Sequence, residues 1–399
     1  MKCTELNLRQ SYFLYAGSWD HITGKPGIGL FRFCPESEEL KSEQMLDVSV
    51  SCGSMCLDTE KNVLYAANEV TDLPGRHGGG GRIAAYLINR KDGHLKRLDE
   101  VETLCPNPSY ISLDETGNYM VVSNHSAFGA VTTVKQDEGG NYYADVIYDD
   151  ATVNLYERKE DGSIGKLLDV VKHKGAGIKP KQFHPHPHSA VRSPLWNLFA
   201  VCDKGNDGIY LYKLDYEKQK LVLCQGTPYQ DIPGSSPRYG VFHPKRPYFF
   251  CNHEDEPVVH SFAYTEDGKL TRIDTVSVVP ERVKGKQMQC CEQQDFKISS
   301  DGRYLYVLVH GTGFDGVVVL ETDESGKIKR KQILEVKGSW PRGCTFSPDG
   351  KYMFIGCMMD GRIEVYKVEE SGMLSAVTEC CFMPGLSCLT MIPEGTGYE

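Results

Sequence analysis

The chain of 399 residues is 40% hydrophobic and 25% charged, with a formal charge of −10. Without a basic block to pair with phosphates, that acidity argues against a nucleic-acid partner, and no segment approaches the roughly 18 apolar residues of a membrane span. Fifteen cysteines with no repeated disulfide spacing, several inside apolar strand candidates (Cys202, Cys251, Cys357), fit free thiols in a reducing compartment; the amino-terminal MKCTELNLRQ lacks a secretory apolar run, so a cytoplasmic location is expected.

From the amino terminus, YFLYAGSW followed by GIGLFRFCPESEE sets a pattern: an apolar strand, a gap, an alternating strand and a polar turn. It returns as NVLYAANE with GGRIAAYLINRKDG, as NYMVVSNH with ATVNLYERKEDG, and as WNLFAVCDK with DGIYLYKLDYEKQK. Three further copies follow: RPYFFCNH with PVVHSFAYTEDG, DGRYLYVLVH with DGVVVLETDESG, and DGKYMFIGCM with DGRIEVYKVEESG. The copies begin at Phe13, Val63, Tyr119, Leu198, Pro247, Tyr304 and Tyr352, at intervals of 48 to 57 residues except for one of 79.

A period near 50, with three or four short strands per unit, is the signature of a β-propeller. The strands are rich in Tyr, Val, Phe and Ile, and the DG, ESG and PDG turns suit hairpins. The amphipathic helical stretches that a parallel α/β fold needs are missing. An all-β, seven-bladed propeller is therefore predicted, forming one domain over residues 1–399. The excess of the long third unit lies at residues 128–150 and 170–183, and TTVKQDEGGNYYADVIYDD predicts an extended hairpin or loop over one face. RHGGGGR, residues 76–82, lacks the Lys-Ser or Lys-Thr of a phosphate loop and reads as a flexible hairpin. The final FMPGLSCLTMIPEG reads as one innermost strand, completing the blade begun by residues 11–46 so that both termini lock the ring.

Each innermost strand runs into a turn such as FHP, FSPDG or ISSDG. Counting back six residues from these turns gives Gly53, Ser109, His188, Arg238, Gln294, Arg342 and Ser387, a ring expected to converge on the axis. The ends of the next strands give a second ring of Trp19, Glu69, His125, Lys204, His253, His310 and Met358, beside Asn68, Asn124, Asp203 and Asn252. In HPHPHSAV, residues 184–191, His186 is expected near the face of His188, and His184 in an outer or loop position. The alternating histidines have a spacing that zinc accepts, but the aligned arginines repel a cation and no contiguous calcium loop is present. Neither a metal nor a cofactor is expected.

The ordered set NPSYISLDETGNYMVVSNH, PHPHSAV, DKGNDGIYLYKL, SPRYGVFHP, DGRYLYVLVHG and WPRGCTFSPDG resembles the seven-bladed propeller lactonase family, over essentially the whole chain. That family includes the propeller-type 6-phosphogluconolactonases and the fungal carboxy-cis,cis-muconate cyclase. The resemblance implies that the family's histidine is His186 or His188 and that its two arginines are Arg238 and Arg342. Where the family reads Asn-Glu-Leu, this chain reads NHED, with His253 at the glutamate position and Glu254 one residue later; Tyr239 follows Arg238 where histidine is usual.

The implied activity is hydrolysis of a small anionic sugar lactone, with 6-phosphogluconolactone favoured. His186 or His188 would activate water, an arginine would meet the oxyanion, and Glu254 or Glu69 would orient the imidazole or act as base. Ser109, His125, His253, Gln294, His310 and Glu69 are the expected substrate-binding residues. A muconate-type lactonizing reaction is one alternative. A non-catalytic binding propeller with Trp19 and Trp340 as recognition anchors is the other. The sequence carries no signal of oligomeric state.

Overall fold

The computed structural model describes residues 11–395 apart from 24, 284, 286–290 and 312. Its repeats form seven antiparallel sheets of four strands, one of which carries a fifth short strand, Tyr229–Gln230. The innermost strands of blades 1 to 6 are Cys52–Asp58, Pro108–Leu113, Pro187–Arg192, Pro237–Phe242, Cys291–Ile298 and Pro341–Phe346. Blade 7 takes its inner strand, Leu386–Pro393, from the carboxyl terminus and its outer three, Tyr12–Ser18, Gly27–Cys34 and Glu39–Asp47, from the amino terminus. Each inner strand touches the next, and Leu386–Pro393 touches the strands on both sides, so the ring is closed.

The second strands explain the apolar repeats. They are packed between two neighbouring blades, so both faces need hydrophobic side chains: Val63–Asn68 and Tyr352–Cys357 are buried at every residue. The outer strand Leu374–Cys381 has one fully buried residue, and its sequence is correspondingly polar. Aromatic rings fill the wedges between blades, as where Phe33 meets Tyr352 and Phe354 edge-on at 4.9 and 5.0 Å. Strands begin at the predicted Val63, Tyr119, Tyr304 and Tyr352, and within one residue of the other three anchors.

The recurring DG and SG turns are riveted to the preceding blade. The glycine carbonyls accept hydrogen bonds from hydroxyls one blade away: Gly93 from Tyr15 at 2.9 Å, Gly162 from Tyr65 at 2.5 Å, Gly372 from Tyr306 at 2.8 Å, and Gly326 from Ser261. Side chains on the outer strands add a second tie. Asp99, Asp169, Asp274 and Gln332 each accept an N–H at the start of the following blade's outer strand, from Ile164, Leu221, Ile328 and Leu374.

The insertion in blade 2 is a hairpin, Ala130–Gln136 against Tyr142–Tyr148, paired from Ala130↔Tyr148 to Gln136↔Tyr142. Residues 173–186 form the loop that leads to blade 3, and Arg76–Gly79 pairs with Asp72–Leu73 in a small hairpin of its own. Among the described residues, no helix is long and apolar enough to cross a membrane.

Gly372 has φ +77°, and a Cβ there would lie 2.3 Å from the Tyr304 ring; Gly226 has φ +80° with open space around it. Gly226→Ala is expected to cost about 1 kcal/mol through backbone strain alone. Gly372→Ala adds the overlap and is expected to cost about 2 kcal/mol more, read as a lower urea midpoint.

Candidate active site

All seven inner strands carry a register irregularity at their mouth. The residue left opposite no partner is Gly53, Ser109, His188, Arg342 or Ser387 in five blades; in blades 4 and 5 the irregular stretch begins at Arg238 and Gln294. A bulge breaks the alternation of a strand and re-aims one side chain. Three of these strands begin at a proline preceded by a non-glycine residue in the left-handed region: Asn107 at 56°, Ser236 at 58° and Trp340 at 62°. Their carbonyls hold the neighbouring chain by accepting the N–H of His125, Glu254 and Met358, each at 2.8 Å.

That backbone bond defines the second ring and corrects it. Its equivalents are Glu69 N–H to Ser51 and Lys204 N–H to His186. In blade 4 the equivalent residue is Glu254, not His253. A one-residue slip turns the face: Pro237 pairs with His253 as Pro187 pairs with Asp203. His253 is accordingly fully buried, with its ring 2.9 Å from Asp231, away from the axial arginines.

Arg238 donates from Nε to Glu254 at 2.9 Å, and Glu254 also accepts from Lys204 at 2.7 and 2.8 Å. Burial pushes the Glu254 carboxyl up, but Lys204 and Arg238 outweigh it and hold the group far below its usual range. Arg342 has a neutral partner instead: Nη1 donates to Gln294, while its guanidinium lies 3.8 Å above the Trp19 ring. Burial, followed by repulsion from Arg238, lowers its pKa to about 10. Trp19 in turn donates to Glu69 at 3.0 Å, and burial raises the Glu69 carboxyl despite the nearby arginines.

His188 stands at the centre of an aromatic cluster, 5.0 Å from Tyr239 and 5.4 Å from His125, with no partner for Nδ1 among the described residues. Burial, then the charges of Arg238, Lys204, His125 and Arg342, hold it well below 6.5. His186 stacks on His125 at 4.7 Å and uses Nδ1 on the His125 carbonyl at 2.8 Å; burial lowers its pKa to about 4. His184, expected in an outer or loop position, lies in the loop but is buried, stacked on Tyr148 at 5.1 Å. His310 stacks on Trp340 at 3.9 Å and meets Glu292 at 3.2 Å. Both tryptophans thus fold inward onto these groups, and neither stands as an outward anchor.

Other expected residues are occupied in binding the scaffold together. The Ser109 hydroxyl spans to the His188 carbonyl at 2.9 Å, and Ser387 to that of Gly17 at 3.0 Å. Glu254, expected beside an imidazole, is instead the counter-charge of Lys204 and Arg238. Sequence reasoning passed over three groups. Lys204 was legible in the second ring, and Tyr239 directly follows Arg238, its ring 4.7 Å from that guanidinium. Phe128, at the root of the inserted hairpin, packs on His186 at 4.5 Å and has no counterpart in other repeats. A narrow cleft of about 10 Å³ lies beside these side chains, bounded by Phe128, His186, Lys204 and Glu254.

Seven blades closed by their own termini, with imidazole and guanidinium groups gathered at the mouth of the axis, define a β-propeller with a polar axial site. The family model described as "Lactonase, 7-bladed beta-propeller" matches residues 13–391, and the chain belongs to that family of lactonases. A 6-phosphogluconolactonase of Bacillus subtilis is 24% identical over 386 residues, covering 96% of this chain and 99% of its own. A 6-phosphogluconolactonase of Formosa agariphila is 24% identical over 371 residues, 92% of this chain and 96% of its own. The periplasmic gluconolactonase of Pseudomonas aeruginosa has the same fold, with a TM-score of 0.82 at 23% identity, over 96% of this chain and 100% of that one.

Glu254→Gln leaves two buried cations without their counter-charge and is expected to destabilise the fold by about 3 kcal/mol. Adding Lys204→Met should recover part of that loss. Urea unfolding of both variants measures it, and an unchanged midpoint would mean that solvent already screens the pair.

Proposed function

We propose that the chain hydrolyses a small anionic sugar lactone at the axial site, with 6-phosphogluconolactone as the preferred substrate. The observation that carries this reading is the setting of His188, a buried imidazole 5.0 Å from Tyr239 whose Nδ1 has no partner among the described residues, and which burial and the neighbouring cations push toward its neutral form. A neutral ring nitrogen is the form that accepts a proton. His188 takes one from water as the oxygen attacks the lactone carbonyl. The tetrahedral oxyanion is stabilised by a guanidinium in a water-poor pocket. The ring C–O bond then breaks, and the imidazolium returns its proton to the leaving alkoxide, giving the open hydroxy acid.

The two arginines divide the work because their partners differ. Arg238, in the blade next to His188, is compensated by Glu254 and held rigidly, which suits the oxyanion. Arg342 has an uncharged amide partner and, among the described residues, no partner for Nε, so its charge is free to attract the substrate's phosphate. His186, whose Nδ1 is committed to the His125 carbonyl, is the second candidate for the base. The names of the Bacillus and Formosa relatives support the phosphorylated lactone. Free thiols at all the described cysteines support a cytoplasmic location, in contrast to the periplasmic Pseudomonas neighbour.

Proton release from 6-phosphogluconolactone and from plain gluconolactone, corrected for spontaneous opening, tests the assignment. His188→Ala is expected to lower kcat/KM by about 100- to 1,000-fold on both compounds. Arg342→Ala should weaken the phosphorylated one selectively, and equal turnover of both lactones by the unaltered chain would overturn the phosphate role. Because the pKa of His188 is depressed, its basic form persists as pH falls, and the acid limb of the rate profile is expected below pH 6.5. A limb at or above that value would remove His188 as the base.

A further inference from the structure

At the contact between blades 3 and 4, away from the lactone site, three side chains converge with no exposed surface. Asp231 comes from the connection between the two blades, and His253 and His260 from the second and third strands of blade 4. One carboxylate oxygen, Asp231 Oδ2, lies 2.9 Å from His253 Nε2 and 3.1 Å from His260 Nδ1, and the rings are 4.2 Å apart. All three side chains are 0% exposed.

The other nitrogen of His253 decides what belongs there. Nδ1 is 3.1 Å from the Val258 carbonyl, which can only accept, so Nδ1 carries the hydrogen. In a neutral ring Nε2 is then a lone pair, aimed at a carboxylate that also has only lone pairs to offer. Something positive has to stand between them. A carbonyl gripping the far nitrogen is also the arrangement that fixes a metal-binding tautomer.

We propose that Asp231, His253 and His260 form a site for a divalent transition metal of the zinc type, joining blade 3 to blade 4. Two imidazoles and a carboxylate are a zinc ligand set. The surroundings are soft as well: Cys251 is the cross-strand partner of His260, and the Cys202 thiol of blade 3 lies 3.6 Å from that of Cys251. Among the described residues, Arg272 is the one cation at the cluster. It approaches the opposite carboxylate oxygen, Oδ1, at 3.6 Å and is 39% exposed, so it leaves Oδ2 to the metal. His253 directly precedes Glu254, so a metal here also pins the strand end that carries the counter-charge of Arg238.

The rival occupant is a proton, which would make His253 an imidazolium. Metal content separates the two and is read without any lactone, so it stands or falls independently of the proposed reaction. The chain is produced in zinc-supplemented medium, freed of loosely held metal with a weak chelator, and analysed by elemental mass spectrometry. One zinc per chain is expected, falling at least about tenfold in Asp231→Asn and in His260→Phe but unchanged in His77→Ala on the surface. Zinc at background in the unaltered chain, or zinc undiminished in the first two variants, overturns the proposal. Should those variants not fold, unaltered chain from zinc-depleted medium supplies the second readout: a lower Tm than the zinc-grown protein is expected, and equal values overturn the site.

Discussion

The hydrogen bonds between Leu386–Pro393 and Tyr12–Ser18 hold the ring shut, and the axial site exists only while it is shut. His188, Arg238 and Arg342 belong to blades 3, 4 and 6 and share no local contact that would bring them together in an open chain. Their meeting is a property of the circle. Closure also makes each wedge between blades equivalent, which is why the same tyrosine-to-glycine rivet and the same acid-to-amide tie recur around it.

Within that circle, burial and charge act against each other residue by residue. Glu254 remains ionised because two cations contact it, whereas Glu69, with no cation in contact among the described residues, is pushed towards its neutral form. The histidines are pushed the same way by desolvation and by the neighbouring guanidinium and ammonium groups. The outcome is an axial cluster whose imidazoles are uncharged while its arginines keep their charge.

Much of the fold was legible because the physics repeats: a strand packed on both faces is apolar throughout, and a rivet turn needs glycine. The inner ring was legible too, since sheets of constant height keep a constant count from bulge to turn. The second ring failed at one blade. The reading NHED showed the glutamate one residue late, but His253 and Glu254 are both polar, so composition did not decide between them; the bond from Glu254 N–H to Ser236 and the pairing of Pro237 with His253 do. Phe128 was hidden for another reason: an insertion has no sister copies to align with. The partnership of Lys204 with Glu254 joins equivalent positions of two adjoining blades, and it stayed hidden because the ring was read one residue out of step in blade 4.

Because the last strand completes the first-made blade, synthesis and architecture run out of step. Tyr12–Ser18 emerges from the ribosome early and must wait, with one edge unpaired, until the final residues arrive. A nascent chain halted between Cys381 and Leu386 is an open arc with an unpaired edge, whatever the quality of its six finished blades.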